Sequence, residues 1–154
     1  MAGYGARNEP SQGTIQDLYV KALTFEDEKG TRVVIVTSDL CIYPYDFTGT
    51  VSKEIEKRFS IPREAILFNA SHNHMGPELW SKTGLVDPPE WLHDIPEPQV
   101  QKVIRYTEWL KKQFIDTIGD AVADLKPASV FFSSAMPVPF AVSRRFPSPS
   151  MPRA

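Results

Sequence analysis

A chain of 154 residues, 42% hydrophobic and 23% charged, holds enough apolar material for one core and has the composition of an ordinary globular protein. A net charge of −2 with no basic run argues against nucleic acid as a partner, and no stretch approaches the roughly 18 uninterrupted apolar residues of a transmembrane helix. The single cysteine, Cys41, excludes an internal disulfide, and "MAGYGARNEPSQG" lacks the apolar stretch of a secretory signal, so the sequence carries no address.

"LYVKALTFED" (residues 18–27) alternates as a strand, with Leu18, Val20 and Ala22 on one face. "EKGT" follows as a turn, because Gly30 supplies the positive φ that a tight hairpin needs. "RVVIVTSDL" (residues 32–40) is β-branched and nearly continuous in apolar character, which predicts a strand covered on both faces. Val51, Ile55 and Phe59 then recur at helical spacing, and Pro62 stops that helix. "AILFNAS" (residues 65–71) is the next strand. Strand, helix and strand in this order predict a βαβ unit with parallel strands and a right-handed crossover.

Residues 75–98, with Trp80, Trp91 and several of the chain's fourteen prolines, read as a long functional loop. A long amphipathic helix is predicted from Glu97 to Leu125, burying Val100, Val103, Ile104, Thr107, Phe114, Ile115, Ile118, Val122 and Leu125. Pro127 ends it, and "ASVFFSSA" (residues 128–135) is predicted as a last strand. The resulting fold class is α/β: a mixed, largely parallel sheet with flanking helices, part of a larger α/β domain. Residues 1–136 form that partial domain, and residues 137–154 a Pro/Ser-rich tail.

In a parallel sheet, ligands bind beyond the carboxyl ends of the strands. Asp39 and His72 stand at those ends. His72 and His74 are two apart, and in an extended segment such residues point to one side, so both rings can reach one divalent ion or one reacting group. Gly76-Pro77 turns the chain away and leaves the mouth open. The plainer alternative, one packed and one solvated histidine, stands about level with the ligand reading. Asp39 reads first as a cap, His93 as a packed loop residue, Trp80 and Trp91 as loop anchors, and Arg144 and Arg145 as a solvated basic end. Gly3 and Gly5 permit close backbone approach.

The order "MAGYG", "LYVKALTFED", "RVVIVTSDL", "NASHNHMGP" and "FAVSRRF" resembles the N-terminal catalytic domain of the neutral/alkaline non-lysosomal ceramidases, across nearly the whole chain. That family has a Met-x-Gly-Tyr opening, a Ser-Ala-Asp-Leu strand end, a His-Thr-His-Ser-Gly-Pro motif and an Asn-Arg-Ser segment. The resemblance implies a zinc hydrolase that cleaves the amide of ceramide, with a ceramide-like lipid as partner. It implies that His72 is the first Zn2+ ligand, that His74 lies near the reacting carbonyl, that Gly3 lines the substrate site, and that Arg144 binds or orients substrate. Metal-activated water would attack the amide carbonyl.

Asn73 and Met75 stand where the family has Thr and Ser, and Ser143 and Arg145 flank Arg144 in place of Asn and Ser. The family's other zinc ligands and its active-site serine come from later sequence, which predicts a fragment of a larger enzyme. Two alternatives remain open at this point: a non-catalytic α/β module that has lost the activity, and a zinc hydrolase of another amide or ester. Members of the family are often secreted or membrane-associated.

Overall fold

The computed structural model describes residues 2–3, 10–81 and 96–135. Strand β1 (Val20–Glu26) and strand β2 (Arg32–Ser38) form an antiparallel hairpin in the register Leu23↔Ile35. Its turn is tied by Asp27, whose carboxylate accepts from the N–H groups of Lys29 and Thr31 at 2.9 and 2.8 Å. Gly30 sits at φ +80, the left-handed conformation expected of it.

Helix α1 (Tyr45–Phe59) then crosses to strand β3 (Ile66–Ala70), which pairs parallel with β2 in the register Ser38↔Ala70. The sheet order is β1-β2-β3. The expected βαβ unit is therefore present. One pairing is antiparallel and one parallel, so the sheet is mixed and parallel pairing does not predominate among the described strands. Helix α1 stops before Pro62 because Ser60 adopts a left-handed C-cap at φ 57. Helix α2 (Glu97–Ala123) starts with a proline in its first turn, where the missing N–H costs nothing.

Both helices lie on one face of the sheet. Val34, Val36, Phe47, Val51, Ile55, Leu110, Phe114 and Ile118 form the buried centre. Phe114 is fully buried, with its ring centroid 5.2 Å from Phe47 and 5.6 Å from Tyr43, both edge-on. In α2 the burial falls on Thr107, Leu110, Lys111, Phe114, Ile115 and Ile118. The expected stripe is thus observed in its middle, while Val100, Val103 and Ile104 are only half-buried.

Two expectations are corrected. Strand β2 is not covered on both faces among the described residues: Val34 and Val36 are buried, but Val33 and Ile35 are exposed, as are Leu23 and Leu67 on the neighbouring strands. An unbroken apolar run states that both faces can be covered, and here two helices cover only one. Residues 128–135 are not a strand. Val130, Phe131 and Phe132 are exposed, because a β-prone segment becomes a strand only when a partner strand takes its hydrogen bonds. Trp91, His93, Arg144, Arg145 and the 137–154 tail lie outside the described residues.

A candidate metal centre beyond the parallel strands

Beyond the last residues of β2 and β3 the two chains continue side by side. Ser71 N–H donates to the carbonyl of Ser38 at 3.0 Å, and His72 N–H to that of Leu40 at 2.9 Å. Tyr43 fastens the same two strand ends: its hydroxyl donates to the Asn69 carbonyl at 2.9 Å and meets Ser38 Oγ at 2.6 Å. The outcome is that Cys41, three residues past β2, lies beside His72, two residues past β3.

His72 has φ 56, in the left-handed region that β-branched or bulky residues avoid. The rings of His72 and His74 do face one another, with centroids 5.0 Å apart and Nε2 to Nε2 3.4 Å. They meet across a left-handed turn and not along an extended segment, which corrects the reason given for their pairing. Asn73 holds the turn: its Oδ1 accepts from Met75 N–H at 3.0 Å, and its Nδ2 donates to Ser71 Oγ at 3.3 Å. On the far side, His72 Nδ1 lies 2.8 Å from the Cys41 carbonyl. Only a protonated Nδ1 can bond there, so the neutral ring carries its lone pair on Nε2, toward His74.

Gly3 lies against His74. A Cβ at position 3 would come within 2.3 Å of His74 Cγ, and Gly3 has φ +96, so backbone occupies the space beside the imidazole. Ala2 N–H donates to the Gly76 carbonyl at 3.0 Å and holds this segment in place. The loop after Gly76-Pro77 is pinned to both helices. Trp80 N–H donates to Thr107 Oγ1 at 2.8 Å, and Ser81 Oγ to Asp46 Oδ1 at 3.0 Å.

One donor atom from each of Cys41, His72 and His74 lies within 4.8 Å of the other two, and this is the one such group among the described residues. Imidazole nitrogen and sulfur suit zinc or a similarly soft divalent ion. Cys41 is buried while His72 is exposed, so the group has a closed floor and an open mouth. Burial pushes the Cys41 thiol pKa up, and the charge of Glu78 acts in the same direction. Burial also raises the Glu78 carboxyl.

Asp39 takes the bland role: its Oδ2 accepts from Tyr19 N–H at 3.0 Å, and its own N–H donates to the Tyr19 carbonyl at 3.1 Å, closing the hairpin end. A cleft of about 180 Å³ between α2 and the β1 side is bordered by Leu18, Asp39, Tyr106 and Trp109, and includes neither histidine. Sequence reasoning missed Cys41 and Glu78. The signal for Cys41 was the strand register, since parallel pairing of β2 with β3 at a fixed offset carries residue 41 to the level of residues 72 and 73.

The family model of the neutral/alkaline non-lysosomal ceramidases, N-terminal region, matches residues 1–136. The chain belongs to this family. No curated protein and no solved structure matches it. Ceramidases of this family are metal-dependent in general, and the donors gathered at the strand ends are of a kind that accepts such an ion.

Proposed function

We propose that this ceramidase-family chain belongs to a zinc-dependent amide hydrolase whose substrate is a ceramide-like lipid, cleaved to sphingosine and a fatty acid. The observation that carries the reading is the 3.4 Å between His72 Nε2 and His74 Nε2 at the carboxyl ends of a parallel strand pair. His72 holds the ion through Nε2, the nitrogen left with a lone pair by the Cys41 carbonyl. When bound, zinc supplies Lewis-acid polarisation of a carbonyl and acidifies water at neutral pH.

His74 presents its Nε2 to the same point and stabilises charge developing on the amide oxygen. Gly3 lets the backbone approach that imidazole and lines the substrate entrance. Arg144 binds or orients substrate. The exchange of the family's Thr and Ser for Asn73 and Met75 falls on the turn that carries His74, which favours testing other amides and esters beside ceramide.

Hydrolysis of a fluorescent ceramide by the zinc-loaded chain is the direct test. Turnover that is abolished by a chelator and by His72→Ala supports the reading. Absence of turnover at every zinc load, for ceramide and for other amides and esters, would identify a non-catalytic module.

A further inference from the structure

The cleft of about 180 Å³ between α2 and the β1 side takes no part in the chemistry proposed above. At about 30 Å³ for each water in the liquid, it has room for a small organic molecule or for one end of a longer one. Leu40 and Leu110, both buried, make its apolar floor. Tyr106 and Trp109, one turn apart on α2, make a wall, with ring centroids 5.5 Å apart and planes tilted by 35°. Trp109 is exposed, so its indole is open to a ligand arriving from solvent.

Among the described residues that border the cleft, Asp39 is the one that carries a charge. The bond from Tyr19 N–H fills one of the roughly four acceptor positions of its carboxylate, and no ion pair engages it among the described residues. The faces of aromatic rings attract cations as well. This chain already makes that contact at the border of the cleft, where Lys21 Nζ stands 5.7 Å over the ring of Tyr19. Gly76 sets the place of the cleft relative to the histidines. A Cβ there would stand 3.1 Å from the Asp39 carbonyl oxygen and 3.5 Å from the side chains of Leu18 and Leu40, so the cleft backs onto the turn that carries His74.

We propose that this cleft is a binding site for an organic ammonium on an apolar stem, with the cation between the Asp39 carboxylate and the Tyr106–Trp109 rings and the stem on the leucine floor. The arrangement selects by charge. An anion with the same stem meets Asp39 as a like charge, and a neutral alcohol forgoes both the ionic and the ring attraction. The amine set free by an amide hydrolase belongs to the class that fits. The site stands whether or not this chain hydrolyses amides, because neither histidine borders it.

Hexylammonium, hexanol and hexanoate share one stem and differ only in the head, which makes them the probes. Each is titrated into the full chain at neutral pH while the indole N–H signals of the three tryptophans are followed by ¹⁵N-resolved spectra. The Trp109 signal is the one that Trp109→Phe removes. The expected result is a saturable shift of that signal, about tenfold tighter for hexylammonium than for hexanol and weakest for hexanoate. Asp39→Asn removes the charge while its amide oxygen still accepts from Tyr19 N–H, and should bring hexylammonium and hexanol to within about twofold of each other. Far-ultraviolet circular dichroism checks that this variant is folded, and the comparison of the three heads on the unaltered chain needs no variant. Equal affinity for the ammonium and the alcohol, or a preference that Asp39→Asn leaves intact, would overturn the cation recognition. No saturable shift of the Trp109 signal with any of the three would overturn the site itself.

Discussion

Replacing Gly3 with alanine probes how closely the opening segment governs His74. Non-bonded carbon atoms prefer about 3.5–4.0 Å, whereas the new methyl carbon would stand 2.3 Å from His74 Cγ and 2.5 Å from Cδ2. Either the imidazole or the backbone must therefore retreat by more than about 1 Å. The φ of +96 adds about 1–2 kcal/mol for any L side chain. In a chain of this size that corresponds to a melting temperature lower by about 2–8 °C. The readout is thermal melting together with ¹⁵N-resolved spectra of the histidine rings. His74 resonances should move while the His72 Nδ1–H signal, locked on the Cys41 carbonyl, stays in place. Ceramide turnover should fall about 100-fold, the scale of a catalytic group misplaced by 1 Å. An alanine variant with unchanged melting and unmoved His74 signals would refute the contact and with it the role given to Gly3.

Phe114→Ala removes the fully buried ring at the junction of both helices and the sheet, and should cost about 3–5 kcal/mol by chemical denaturation. Tyr43→Phe removes the hydroxyl that bridges the two strand ends and should cost about 1–2 kcal/mol; an unchanged denaturation midpoint would show that the bridge contributes nothing. Glu78 has a folded-state pKa raised by burial, so the folded protein holds that proton more tightly than the unfolded one, and stability should drop as pH rises from the unfolded value through the folded one, then level off. Glu78→Gln should abolish that slope, raise the neutral-pH melting temperature, and let the Cys41 thiol ionise at lower pH, seen in thiolate ultraviolet absorbance.

Local pattern carried the backbone of this fold well, because each element announces itself within a few residues. Gly30 marks the hairpin, the spacing of Val51, Ile55 and Phe59 marks α1, and the run 66–70 marks β3. What local pattern could not carry was coverage. Val33 and Ile35 belong to an apolar run that reads the same whether its outer face is covered or open, and Phe131 and Phe132 have strand propensity without a strand beside them. The site divides in the same way. His72 and His74 are neighbours in sequence and were legible, whereas Cys41 is 31 residues from His72 and reaches it only through the parallel register. The left-handed φ of His72 was invisible too, because even histidine, which tolerates that conformation better than most side chains, adopts it at only a small share of its positions.

That left-handed backbone at position 72 restricts which chemistry this place can evolve toward. Histidine, asparagine and aspartate tolerate the conformation better than other side chains, while cysteine and glutamate gain nothing from it. A change of donor at this point therefore has two inexpensive routes, to aspartate and to asparagine, and both replace nitrogen by oxygen, the donor of harder ions. The backbone at position 72 thus limits which donors the proposed metal centre could take before any ligand is exchanged.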